Sequence, residues 1–247
     1  MIIVLIYSLY YTALVVLLLY ASKKLKKQRS GYKPFISVII AARNEENLIG
    51  RCLENLQKQT YDKSKFEVIV VNDRSQDRTP EIVLEFQKKH GIFRLINIKE
   101  VPLGTSPKKY SLSNGIEKAR GQIIVTTDAD SIVPVAWLER ISNYIGEELT
   151  LVLGFVYIHP DSSLNNFLGT FDSLELFAFS TVSAFSTGLS FPISANSSNM
   201  AYSRKLFNTV NGYNSVKNII SGDDELLLDS VFKKRTAAIK FIFEREA

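Results

Sequence analysis

"FEVIVVNDRSQDRTPEIVLEFQKKHG", Phe66 to Gly91, is the stretch that decides the fold. Phe66 to Asp73 is mostly apolar and rich in valine, the pattern of a strand buried on both faces. Directly behind it, Ser75 to Gly91 reads as a helix with Pro80 near its start and Gly91 past its end. The same unit recurs on both sides. Upstream, "FISVIIAA" (Phe35 to Ala42) is a second buried strand, and Leu48, Ile49, Cys52, Leu53 and Leu56 follow at helical spacing, with Asn44 expected as the N-cap before two glutamates. Downstream come a strand at Phe93 to Glu100, a helix ending at Gly121, a strand over "QIIVTTDAD" (Gln122 to Asp130) and a helix signal near Pro134. Strands alternating with helices of this length predict an α/β domain with a mostly parallel sheet, flanked by helices on right-handed crossovers.

In such sheets ligands bind beyond the carboxyl ends of the strands. Each strand here ends in polar residues: Arg43, Asn44 and Glu45 after the first, Asn72 and Asp73 after the second, Asp128 and Asp130 after the fourth. Two carboxylates two residues apart in an extended segment point the same way and can share a hard cation, Mg²⁺ or Mn²⁺, that also takes diphosphate oxygens. Taken alone, "DAD" reads as a turn former or a helix cap; its place at the end of "IIVTT", the helix signal near Pro134 and the acidic strand end at Asp73 shift the reading to a cation site. Asp73 is placed to accept a base N–H or a ribose hydroxyl, whereas Asp77 is expected to cap the helix it precedes. His90 and His159 are isolated, so no histidine cluster competes for a metal.

The chain has 247 residues, 46% of them apolar, enough for a sizeable core. Its net charge of +5 is concentrated in Lys23, Lys24, Lys26, Lys27, Arg29 and Lys33, so the basic balance does not imply nucleic-acid binding. The single cysteine, Cys52, excludes an internal disulfide framework and reads as a small buried apolar residue. Ile2 to Ala21 carries no charge and has the length of a membrane-crossing helix. The basic flank behind it predicts an outward N-terminus and a cytoplasmic domain at the inner membrane face. The expected organisation is a transmembrane helix over 1–22, a basic linker over 23–34 and the α/β domain over 35–247, with a nucleotide-binding half (35–133) and an acceptor half (134–247).

Taken in order, "SVIIAARNEENLIG", "FEVIVVNDRSQDRT", "PKKYSLSNGIEKARG", "IIVTTDAD" and "SGDDELLLD" resemble the motifs of family 2 glycosyltransferases of the GT-A, Rossmann-like fold. The likeness runs from about Phe35 to the end of the chain. It implies that Ala42, Arg43 and Glu45 border the nucleotide pocket and that Asp73 binds the base. Lys108 corresponds to a donor-side lysine, with Lys109 as the alternative register and Ser113 where the family usually has Asn. Asp128 and Asp130 correspond to the DXD motif, Asp128 facing ribose and metal and Asp130 holding the Mn²⁺ or Mg²⁺. "SANSSNMAYSRKLFNTVNGYN" (Ser194 to Asn214) is similar to the acceptor stretch, which brings in Asn199, and Asp223 belongs to the same region. Asp224 matches the aspartate of the family's E-D motif, the general base. The implied activity is a metal-dependent, inverting transfer of a hexosyl group from a nucleotide-sugar, UDP-sugar being the first expectation, to a saccharide or lipid-linked hydroxyl.

A nucleotidyltransferase is the enzymatic alternative, but "AARNEEN" lacks the glycine-rich phosphate loop that reading needs. A membrane-tethered scaffold without turnover is the other. Leu164 to Ser194, rich in phenylalanine, reads equally as a core helix or as an interfacial helix. The closing "AAIKFIFEREA" reads as a strand awaiting a partner, and the chain is expected to be C-terminally incomplete.

Overall fold

The computed structural model describes residues 2–25, 30–146, 149–156, 167–235 and 237–244. Its strands are β1 (Ile36–Ala42), β2 (Phe66–Asp73), β3 (Phe93–Ile98), β4 (Ile123–Thr126), β5 (Thr150–Gly154), β6 (Met200–Ser203) and β7 (Ala238–Ile242). The helices are α1 (Ile2–Lys24), α2 (Ile49–Gln57), α3 (Thr79–Lys89), α4 (Pro107–Lys118), α5 (Trp137–Tyr144), α6 (Phe167–Gly188), α7 (Arg204–Thr209) and α8 (Asp223–Lys234).

One sheet runs through the domain in the order β3-β2-β1-β4-β6-β5-β7. It is parallel except where β6 pairs antiparallel with β4 and β5. The parallel half is buried on both faces, and every residue of β2 is buried. Along β1, Val38 and Ile40 face one core with Cys52, Leu53 and Leu56 of α2, Val83 of α3 and Trp137 of α5. Ile39, between them, faces the other core with Leu112 and Ile116 of α4 and Leu227 and Val231 of α8. The alternation is the two-residue period of a strand with helices on both sides, and each buried aliphatic side chain stabilises the fold by about 1.5–3 kcal/mol.

The register puts Ala42 beside Asn72, so β1 and β2 release their chains at the same edge. β4 stops at Thr126, four residues short of the expected strand, and Asp128 to Ser131 form a turn closed by the Ser131 amide on the Asp128 carbonyl. The alternation persists through that turn: Ala129 is buried and Asp130 is exposed. The helix expected to be capped by Asn44 begins only at Ile49. Asn44 instead takes a left-handed conformation, φ 56°, and its side chain turns to the neighbouring loop. β7 is not unpaired, because it lies parallel to β5 over Thr150–Gly154.

Candidate active site

The loops leaving β1 and β2 are tied to each other. The Asn44 amide donates to Ser75 Oγ (3.0 Å), and the Gln76 amide donates to Asn44 Oδ1 (2.9 Å). The Glu45 amide donates to Thr79 Oγ1 (2.7 Å) and the Glu46 amide to Asp77 Oδ2 (3.0 Å), while Glu46 Oε2 accepts from the Arg78 amide (3.0 Å). Asp77 also accepts from the Thr79 amide and hydroxyl through Oδ1; the N-cap position of α3 is Arg78, so Asp77 lies one residue ahead of the cap it was expected to form and holds the adjacent loop instead. Arg74, like Asn44, has positive φ (55°). Such conformations cost non-glycine residues free energy and persist where surrounding bonds hold them. Both loops are thereby fixed along the strand edge. Asp73 sits there nearly buried, with Oδ1 2.7 Å from Arg74 Nε.

Lys108, on the first turn of α4, links the other loops. Its Nζ donates to Asp128 Oδ1 (2.9 Å) and Ser197 Oγ (3.0 Å) and lies 3.9 Å from Asp223 Oδ2. Burial pushes this ammonium down, but Asp128 and Asp223 outweigh it and leave the pKa raised, so Lys108 is a cation. Lys109, the other register, is a strut: it is buried and its Nζ donates to the Ile219 and Ser221 carbonyls. Those bonds hold the segment leading to Gly222, whose φ of +71° is open to glycine at little cost and turns the chain into α8.

Asp223 and Asp224 open α8. Asp224 Oδ2 accepts from the Ser197 amide (3.0 Å) and Oδ1 from the Glu225 amide (2.8 Å), which fixes a half-buried carboxylate opposite the Lys108 cluster. Asp223 is buried, and its Oδ2 has no hydrogen-bond partner. Burial raises its pKa; Lys108 opposes that and Asp224 adds to it. Asp128 Oδ2 accepts from Ser198 Oγ. Lys108, Asp128, Ser197, Ser198, Asp223 and Asp224 therefore form one connected group across three loops.

Glu45 and Asp130 face the same opening. Glu45 has a raised pKa, first from burial and then from the charges of Asp130, Asp77 and Asp128. Asp130 makes no hydrogen bond or ion pair with a described residue. Carboxylates that repel one another with one oxygen pair free suit a hard divalent cation whose remaining ligands come from water or a diphosphate. Among the described residues no three side chains form a complete metal cage.

Two expected residues are placed otherwise. The Ala42 side chain is buried in the core, so only its backbone borders the edge. Asn199 is buried with both amide ends engaged: Oδ1 accepts from Trp137 Nε1 (2.9 Å) and Nδ2 donates to the Phe155 carbonyl (2.9 Å). It ties α5 to the end of β5 rather than facing the opening. Arg43 is exposed, and His159 lies outside the described residues. The sequence reading missed Ser197 and Ser198; only "SANSSN" ahead of a strand hinted at them.

A strand edge carrying carboxylates, a bridging lysine and a second acidic loop on a Rossmann-like sheet defines the GT-A class of transferase. The profile of glycosyl transferase family 2 matches residues 37–210, and the chain belongs to that family. A glycosyltransferase, AglE of Haloferax volcanii, is 39% identical over 131 residues, covering 52% of this chain and 41% of that protein. A beta-monoglucosyldiacylglycerol synthase of Trichormus variabilis is 32% identical over 108 residues, covering 44% of this chain and 23% of its own. The matched stretch thus spans less than half of either relative. Among solved structures, the mannosyltransferase PcManGT of Pyrobaculum calidifontis, in complex with GDP-Man and Mn²⁺, superposes with a TM-score of 0.69 at 20% identity, covering 96% of this chain and 64% of that one. TarS of S. aureus (residues 1–349, with UDP) gives 0.58 at 19% identity, covering 83% and 57%. These structural likenesses establish the GT-A fold.

Proposed function

We propose that this chain transfers a sugar from a nucleoside diphosphate sugar to an acceptor hydroxyl with inversion, using Asp224 as the base. The observation that carries the reading is the connection of the two sides of the site: Lys108 holds Asp128 of the donor edge and Ser197 of the loop whose amide orients Asp224. An alcohol becomes an adequate nucleophile when its proton leaves during attack. Asp224 takes that proton, the acceptor oxygen bonds to the anomeric carbon, and the bond from that carbon to the diphosphate oxygen breaks, its electron pair leaving with the nucleotide. The Ser197 and Glu225 amides keep the Asp224 carboxylate oriented for this. Lys108 places positive charge where the diphosphate gains negative charge. Asp73 meets the base or ribose, with Arg43 and Glu45 beside the nucleotide. Asp128 and Asp130 would hold Mn²⁺ or Mg²⁺, which supplies charge neutralisation to the leaving group.

In this reading α1 anchors the domain at the cytoplasmic membrane face. Val4–Lys24 is long and apolar enough to cross a bilayer, and all but a few of its residues are exposed. A lipid or saccharide acceptor is supported by relatives such as the beta-monoglucosyldiacylglycerol synthase. Titration calorimetry of UDP, GDP and CDP with and without Mn²⁺ tests the donor site. One nucleotide should bind in a metal-dependent way, and Asp130→Ala should abolish that dependence. Absence of binding by all three to the folded protein would overturn the reading.

A further inference from the structure

Helix α6 is inside out for a helix on the surface of a water-soluble domain. Its inward residues are small and mostly polar: Ser180, Ser183, Ala184 and Thr187 are buried. Ser180 Oγ donates to the Val156 carbonyl (3.1 Å) and Ser183 Oγ to the Ser194 carbonyl (2.6 Å). Its outward residues are large and apolar. Leu174, Phe177, Phe179 and Val182, with Phe191 and Ile193 on the segment that follows, are between 46% and 62% exposed. In water the apolar stripe of a helix faces the protein. Small residues at the contact and large apolar ones outside is the arrangement of a helix whose solvent is lipid.

What covers this face is indicated by the helix it joins. α1 touches α6 where Ala21 is buried against Gly188, and a Cβ at Gly188 would come within 2.6 Å of the Ala21 carbonyl oxygen. Only glycine allows this approach, so the two helices are packed together rather than loosely tethered. The charge-free surface of α1 and the outward face of α6 belong to one packed pair, and Lys23 and Lys24 mark the polar end of α1. Glu175, exposed beside Leu174, places α6 at headgroup level instead of across the bilayer.

We propose that the outward face of α6 and the segment carrying Phe191 and Ile193 are seated in the boundary between lipid headgroups and acyl chains, making a second membrane contact beside α1. This rests on the reading of α1 as a membrane helix. The consequence is a fixed height for the site: α6 also walls a cavity of about 210 Å³ with Leu176, Phe179, Ser194, Asn196 and Glu225, next to Asp224, and that cavity then opens at the membrane surface.

Cys52 is buried, so introduced cysteines are the reactive ones. The full chain is reconstituted into phosphatidylcholine vesicles containing one quarter phosphatidylglycerol. Nitroxide labels are placed through Phe177→Cys, Phe179→Cys and Ile193→Cys, with Tyr11→Cys on α1 and Leu84→Cys on α3 as references. Collision rates with oxygen, which concentrates in lipid, and with a water-soluble nickel chelate are compared. The expected result is an oxygen-to-nickel ratio several-fold higher at the three α6-side positions than at Leu84→Cys, approaching that at Tyr11→Cys. If these labels match Leu84→Cys while Tyr11→Cys lies in lipid, the second contact is overturned and the anchor stands. Shielding from both reagents would mean a protein partner or a second copy, and overturns the proposal equally. If Tyr11→Cys is itself in water, the anchor reading fails and this inference with it.

Discussion

The two ends of the sheet handle buried acid in opposite ways. Glu67, at the start of β2, is completely inaccessible, yet its carboxylate accepts from Ser37 Oγ, the Arg120 amide, Arg120 Nε and Arg94 Nη1. Burial would push its pKa up, but those bonds and the Arg120 charge win and hold it below the ordinary value. Asp223, in the region beyond the carboxyl ends of the parallel strands, is also buried, but one oxygen is unpartnered, its cation stands 3.9 Å away, and its pKa is raised. A carboxylate with every lone pair engaged serves the fold. One left short of partners beside other acids is tolerated where something else binds.

The largest effect that tests this contrast is on turnover. Asp224→Asn keeps the size of the side chain but can accept from only one of the Ser197 and Glu225 amides; with the proposed base removed, transfer should fall ~10²–10⁴-fold, the range for loss of a general base. Nucleotide affinity by calorimetry should stay within a few-fold, because the role proposed for Asp224 is on the acceptor. A parallel collapse of nucleotide binding would show that Asp224 organises the donor site instead.

Next in size is stability. Glu67→Gln puts a neutral amide at a fully buried position while Arg94 and Arg120 keep access to water, and should cost about 1.5–3 kcal/mol, the scale for hydrogen bonds to a charged group. Asp223→Asn removes a charge that the fold accommodates poorly, and should change stability by less than about 1 kcal/mol. The pH dependence has opposite sign at the two sites. With its folded pKa below the unfolded one, Glu67 contributes stability that is present above the unfolded value, about 4.3, and is lost as pH falls through the folded value. Asp223, raised, costs stability as pH climbs above its unfolded value, about 3.9, until the folded form ionises. Urea unfolding from pH 3 to 7 should show wild type and Glu67→Gln diverging as pH rises and converging in acid. A gap that stays constant would mean that the Glu67 charge is irrelevant.

Much of this was legible in the chain, and the omissions have a common cause. Phe66 to Gly91 specified strand and helix because a strand buried on both faces needs a run of valine and isoleucine, and that demand is local. The aspartates at the strand ends were legible for the same reason. The role of Asn44 was not, because its partners Ser75 and Gln76 are more than thirty residues away; locally it looked like a cap for its own helix. The lysine register was open in sequence because Lys108 and Lys109 are adjacent, and only the packing of α4 sends one to Asp128 and the other to the Ile219 and Ser221 carbonyls. Asn199 lay in a stretch matching the acceptor motif, but the indole of Trp137 uses its oxygen. Asn44→Ala isolates the long-range part of this lesson. It removes the acceptor for the Gln76 amide and should cost about 1 kcal/mol, the usual net value of one hydrogen bond, and it should weaken nucleotide binding more than an exposed α3 substitution such as Glu85→Ala. Equal binding in the two variants would make the loop lacing irrelevant to the site.

The smallest effect concerns the core beneath the carboxylates. Cys52 has no exposure, and its thiol reaches the Asp128 carbonyl at 3.7 Å from below while Asp130 and Asp128 stand above it. Burial first, and then those two charges, push the thiol up to about 12. Since the thiolate is the reactive form, a thiol reagent at pH 8 should modify the folded protein only through opening, at a rate that follows unfolding as urea is added. A cation bound by Asp128 and Asp130 would offset the electrostatic part of that shift and leave the burial part. Saturating Mn²⁺ with nucleotide should nevertheless slow labelling, because ligand that binds only the folded state lowers the population of the open one. Faster labelling on adding the metal would place the cation's field at the sulfur with the site open, and would break the picture of a dry core directly beneath a charged edge.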